Sequence, residues 1–240
     1  YSNSLIDTVY RFDSSGTRST FATGVSQTLS LALGPDGAIY GAIGAFYSGQ
    51  NLTTAPRIVK FDASGNATTI ATLPNSYDYT TGFFGAAGQP IGLMIDLAFD
   101  AASNIYVTIN MAGVVLQIPT ASGDGGFVPS PSEYATGIDA PSGIVASPDG
   151  HLLVAQGPLF VQGSPGTVKS NPEIVAVAPD GTKSDFFDAP ANDAYATGFY
   201  SRPNADGAYP VDAVFKLVSD SSGNVFYEDS LANQVTLLSK

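Results

Sequence analysis

The 240-residue chain has no cysteine, a single histidine and only nine basic side chains. Without cysteine there is no disulfide framework, no thiolate nucleophile and no zinc–thiolate site. Nine bases against 21 acids leave a net charge of −12. Nucleic-acid backbones and anionic membranes repel such a chain; cations and neutral ligands are its easier partners. No apolar run approaches the roughly 18 residues that cross a bilayer as a helix. Neither GxGxxG nor GxxxxGK occurs, so no nucleotide site is signalled. The one histidine, His151, follows a Pro-Asp-Gly turn. That places it away from the long loops, where a Ser–His–Asp arrangement built on it has poor geometry.

Charge is scarce altogether: 12% of residues carry it, about half the usual share. Serine, threonine, asparagine, glycine and tyrosine supply the polarity instead. That composition, with the missing cysteine, predicts a secreted or periplasmic protein. The chain begins abruptly at Tyr1, as a processed or trimmed start would. Apolar residues make up 44% of the chain, enough for a buried core.

What is present is repetition. Four segments read as a short apolar strand, a tight turn and a second strand: "LSLALGPDGAIYGAI", "IDLAFDAASNIYVTI", "SGIVASPDGHLLVAQ" and "FKLVSDSSGNVFYED". These are A–B pairs. Between them lie C–D pairs: "VYRFDSSGTRSTFATG", "IVKFDASGNATTIATL", a looser stretch over 114–137, and "IVAVAPDGTKSDFFDAP". Proline presets φ at these bends, aspartate bonds the local backbone, and glycine tolerates positive φ. No window shows sustained helical periodicity. Regular strand pairs of this kind mean an all-β propeller of four-stranded antiparallel blades. The count gives four blades and one spare C strand, and leaves five or six open if the long insertions hide strands. A 113-residue offset relates "FATG" to "YATG", so the single domain reads as an internal duplication, approximately 8–118 and 119–238. The two ends share a phrase, "YSNSLIDTVYRF" and "YEDSLANQVTLL". Strands from both termini are therefore expected to close the ring, which removes an open edge.

Strand order places the long segments 44–56, 157–172, 73–94 and 188–211 on one face, opposite the tight A–B turns. Long loops gathered at one end of a rigid scaffold carry binding. Theirs are rich in aromatic rings: Phe46, Tyr47, Tyr77, Tyr79, Phe83, Phe84, Phe160, Tyr195, Phe199, Tyr200 and Tyr209, with Arg202 the one cation among them. Tyrosine offers apolar area and a hydroxyl at low entropic cost. These residues are the candidate ligand-binding set. Where A strands begin, Asp96, Asp139 and Asp212 are the acids available to a central funnel. Converging oxygens there would suit Ca2+ or Mg2+. No carboxylate recurs at that place in every repeat, since Ser26 matches Asp139 and Gly92 matches Asp212. Solvated or loop-capping acids are the competing reading.

The segments "GPDGAIYGA", "IDLAFDAASNIYVTI" and "SPDGHLLVA" resemble NHL-repeat and SMP-30/gluconolactonase-like propellers. "IDLAFD…IYV" and "PDG…VAQGPLFVQGSPG" are most similar to the secreted propeller family associated with scytonemin gene clusters. The resemblance implies the propeller fold, and for lactonase relatives a metal held by an early glutamate. Here the first glutamate is Glu133. Lyase relatives use histidines, and this chain has one. The resemblance thus carries the fold over more readily than an activity. The sequence leans towards a non-catalytic secreted propeller whose partner is a small molecule, a glycan or a protein. A metal-dependent hydrolase, lactonase or lyase is the first alternative. A matrix protein self-associating through its spare terminal strand is the second.

Overall fold

The computed structural model describes residues 2–3, 7–25, 28–48, 51–74, 96–109, 112–120, 130–138, 141–156, 173–188, 214–220, 222–229 and 234–238. Strands β1 (Ser2–Asn3), β2 (Thr8–Phe12) and β3 (Arg18–Thr23) form the first sheet. Next come β4 (Thr28–Leu33), β5 (Ile39–Ile43), β6 (Phe46–Ser48), β7 (Asn51–Thr54), β8 (Arg57–Phe61) and β9 (Ala67–Thr72). Of these, β4-β5-β8-β9 make a four-stranded sheet and β6-β7 a separate hairpin. The third sheet is β10 (Leu97–Phe99), β11 (Ile105–Ile109), β12 (Val114–Ile118) and β13 (Ser132–Thr136), in that order. The fourth is β14 (Pro141–Ala146), β15 (Leu152–Gln156), β16 (Glu173–Val177) and β17 (Lys183–Asp188). The last is β18 (Val214–Ser219), β19 (Val225–Asp229) and β20 (Gln234–Leu238).

The expected alternation is there. The A–B hairpins are β4-β5, β10-β11, β14-β15 and β18-β19; the C–D hairpins are β2-β3, β8-β9, β12-β13 and β16-β17. This is the arrangement of an all-β propeller with four blades, and the described residues contain no helix. None is long and apolar enough to cross a membrane. One detail differs from expectation. Residues 44–56, read as loop, contain the β6-β7 hairpin, built from Phe46, Tyr47, Leu52 and two threonines with high strand preference. At the chain ends, β19 is paired by β18 and β20, and β2 by β1 and β3.

The chain divides into two compact units, residues 1–112 with 116–133, and 113–115 with 134–240. Each has its own core between neighbouring sheets. In the first, Val9 and Ala22 pack with Ile43, Val59 and Phe61. In the second, Leu153, Ala155 and Ile174 pack with Leu217, Val225 and Tyr227. Every residue of β5 except Ile39 is buried, as is every residue of β11 and β15. Their continuous apolar runs follow from being covered on both faces. Each fully buried isoleucine or leucine contributes about 1.5–3 kcal/mol. The outer strands β3 and β9 share one burial pattern, three exposed residues and then a single buried alanine, Ala22 or Ala71. Polar, threonine-rich outer edges discourage stray pairing.

Candidate functional site

The A strands begin with polar groups that the core encloses. Ser30, Asp96 and Thr108 are each at most 4% exposed. The Asp96 amide donates to Thr108 Oγ1 at 3.0 Å, and the Thr108 amide returns a bond to the Asp96 carbonyl at 3.1 Å. Asp96 Oδ1 accepts the Leu97 amide at 2.9 Å and the Ser30 hydroxyl. Ser30 lies on β4 and Asp96 directly precedes β10, so this carboxylate ties one innermost strand to the next. Thr28 Oγ1 similarly donates to the Val25 carbonyl at 2.6 Å. Sequence reading picked out Asp96 but not Ser30 or Thr108. Their signal was a small hydroxyl residue between apolar neighbours, Ser30 in "TLSLAL" and Thr108 in "IYVTI".

In the second unit Ser142 and Gln156 are the buried polar residues of the corresponding strands. Here the innermost strands touch through backbone. A Cβ on Gly143 would lie 2.7 Å from the Leu217 amide nitrogen and 3.0 Å from Lys216 Cα. Strands β4, β14 and β18 each carry a one-residue bulge near their start, opposite β5, β15 and β19. Bulges of this kind re-aim the side chains at a strand's end.

Asp96 was expected to join Asp139 and Asp212 in holding a metal. The last two lie outside the described residues. Asp96 itself spends Oδ1 on Ser30 and Leu97. Among the described residues, no group of three or more histidine, aspartate or glutamate side chains is placed to hold a metal ion. Within the described residues Asp96 Oδ1 serves as a tie between strands. Of the aromatic candidates, Phe46 and Tyr47 fall on β6, where Phe46 pairs with Thr54 and Tyr47 with Leu52. Tyr77, Tyr79, Phe83, Phe84, Phe160, Tyr195, Phe199, Tyr200, Arg202 and Tyr209 lie outside the described residues.

The turn side of the sheets carries polar clusters of its own. Tyr40 donates to Asp36 Oδ2 at 3.0 Å, and Lys60 Nζ pairs with the same oxygen at 2.7 Å. Lys60 holds the Asp36 carboxyl below its ordinary range, and Asp36 raises the Lys60 ammonium in return. Burial, then the bond to Asp36, raises the Tyr40 hydroxyl. One repeat on, Tyr106 donates to Asp100 at 3.0 Å and Gln117 Nε2 donates to Tyr106 at 2.8 Å. There glutamine stands on the C strand in place of lysine and bonds the tyrosine hydroxyl, where Lys60 bonds the carboxylate. His151 sits at its A–B turn with Nδ1 3.2 Å from Asp149.

Neither a family model nor a curated protein matches the chain. Solved structures match its fold. A gluconolactonase from Xanthomonas campestris superposes with a TM-score of 0.57 at 14% identity, over 93% of this chain and 62% of that one. An auxiliary nutrient binding protein from Bacteroides thetaiotaomicron gives 0.58 at 12% identity, over 93% and 50%. A calcium-binding regucalcin from Agrobacterium tumefaciens gives 0.56 at 13% identity, over 97% and 69%. The chain thus spans 50 to 69% of the length of these structures. At such identities the likeness establishes the propeller fold.

Proposed function

We propose that the chain is a secreted or periplasmic, non-catalytic propeller that captures a small molecule, glycan or protein on its long-loop face. The observation that carries this reading is the commitment of Asp96. The one funnel acid among the described residues is a buried strand tie, so the innermost strands supply support more evidently than chemistry. The long connections from β5 to β8, β9 to β10, β15 to β16 and β17 to β18 leave the strand ends opposite the A–B turns. Loops on such a frame are suited to binding. The likeness to a nutrient-binding propeller is consistent with capture of a ligand. A screen of the full chain against glycan and small-molecule arrays tests this. Capture by the wild type that is lost in the Tyr79→Ala, Tyr195→Ala double variant is the expected result. Capture unchanged in that variant would remove the loop face from the account.

A second reading rests on β20. It pairs with β19 alone among the described residues, while β8, β12 and β16 each carry a D strand. Val235 and Leu237 on this strand are 69% and 48% exposed. An open edge with apolar neighbours favours strand addition. Solution mass decides it: a strict monomer at high concentration would discard self-association through this edge.

A further inference from the structure

Two D strands end on the same words. β3 leads into Phe21-Ala22-Thr23-Gly24 and β13 into Tyr134-Ala135-Thr136-Gly137. Their backbones agree: Gly24 has φ 74° and Gly137 φ 68°. The alanines are buried in both, as are the following Val25 and Ile138. Each also meets the C–D turn of the next sheet in one way. The Gly65 α-carbon lies close beneath the Phe21 carbonyl, and a Cβ on Gly181 would lie 2.9 Å from the Tyr134 carbonyl. Both turn glycines are left-handed, φ 85° and 82°.

The two sites differ in charge at the position that opens the next D strand. The residue opening the next D strand is Ala67 in one and Lys183 in the other, in equivalent register opposite Phe61 and Val177. Lys183 Nζ reaches across and donates to the Thr136 and Gly137 carbonyls, both at 2.7 Å. Those are the lengths of charge-assisted bonds. Where Ala67 stands there is no such arm. A groove of about 420 Å3 opens instead, lined by residues 20–25 and 64–67. Its wall contains the matching pair, Thr23 and Gly24, and no cationic side chain.

We propose that the groove between β3 and the 62–66 turn receives a primary ammonium group, held by the carbonyls of Thr23 and Gly24 as Lys183 is held by their counterparts. The ligand class is a primary alkylamine, free or as a lysine side chain. A compact ammonium with three donors fits two adjacent carbonyls. The net charge of −12 draws cations to the surface. None of the aromatic loop candidates lines the groove.

The test is an NMR titration of the 15N-labelled full chain with n-butylammonium, read at the Gly24 and Gly65 amides. Tetramethylammonium at equal ionic strength is the control. Saturable shifts are expected with n-butylammonium, and at least about fivefold smaller ones with tetramethylammonium, which has no N–H to donate. Ala67→Lys supplies the arm internally at an exposed position and abolishes the response. Lys183→Ala empties the sister groove and creates a second response at Gly137. A blocked lysine, Nα-acetyl-lysine amide, distinguishes the sources: tighter binding than n-butylammonium assigns the groove to a lysine side chain, equal binding to the amine alone. Equal shifts from the two simple cations overturn the proposal, as does an n-butylammonium response that survives Ala67→Lys.

Discussion

Aspartate does two different jobs in what looks like one kind of turn. In the Pro-Asp-Gly bends it sits second before the residue it serves, and Asp36 and Asp180 each accept one amide from two positions on. In the Asp-x-Ser-Gly bends it opens the turn and accepts two. Asp62 Oδ1 takes the amides of Ser64 and Asn66, at 2.8 and 2.9 Å, while Oδ2 takes the Asn66 side chain. Asp220 repeats this with Ser222 and Asn224. Six of the seven bends among the described residues have a left-handed glycine at the fourth place; Ser103 holds it with φ 67° in the seventh. A left-handed serine is strained. Ser103→Gly should stabilise the chain by ~0.5–1 kcal/mol, seen as a raised Tm, once glycine's larger unfolded-state entropy is offset. Gly65→Ala should do the reverse. Its methyl would run into the Phe21 carbonyl at φ 85°, costing about 2 kcal/mol or more in a denaturant melt.

The same aspartates set the response to acid. Side-chain bonds from Ser15, Asn66 and Asn224 are the leading reasons that Asp13, Asp62 and Asp220 titrate below their ordinary 3.8. A carboxyl lowered on folding adds stability above its unfolded pKa and loses it as pH falls through the folded value. Tm should therefore be level down to about pH 5 and decline below about pH 4. Changing all three residues to asparagine keeps the Oδ1 acceptor for the turn amides, removes the charge and should flatten that decline. An acid limb that stays equally steep in the triple variant would place its origin elsewhere.

Strands and turns were legible at the level of elements because their signals are local. Period-two alternation located every A–B pair, and Pro-Asp-Gly or Asp-x-Ser-Gly marked three of their four turns. What escaped depends on contacts far apart in sequence. Nothing near Asp96 announces Ser30, 66 positions earlier. Nothing in "EYATG" announces that Lys183 will fill its carbonyls. The β6-β7 hairpin escaped because its strands are three and four residues long, too short for alternation to register. Gly143 belongs here too. In sequence it is one glycine in "PSGIVA"; in the sheet it is where β14 meets β18 backbone to backbone. Gly143→Ala should push these strands apart and cost about 1–3 kcal/mol, with the loss read from chemical denaturation. Stability unchanged in that variant would mean the two innermost strands are not packed as described.

For the whole molecule, the duplication and the shared phrase at the two ends were visible as repeats, and they led to four blades. Among the described residues the terminal strand β2 pairs with β1 and β3, and β20 with β19. A match in sequence says that two segments have the same local form, and leaves open which partner each one takes. We propose that the two duplicated halves form one cooperative domain. Calorimetry should then show a single transition, and two separated transitions would contradict it.

The central claim is that the funnel end of the innermost strands braces the propeller, leaving recognition to the loops. It is tested most directly by metal analysis of the full chain after dialysis against Ca2+ and Mg2+, with Asp96→Asn measured alongside. The account predicts no stoichiometric divalent ion that depends on Asp96. One equivalent in the wild type, lost in Asp96→Asn, would contradict it.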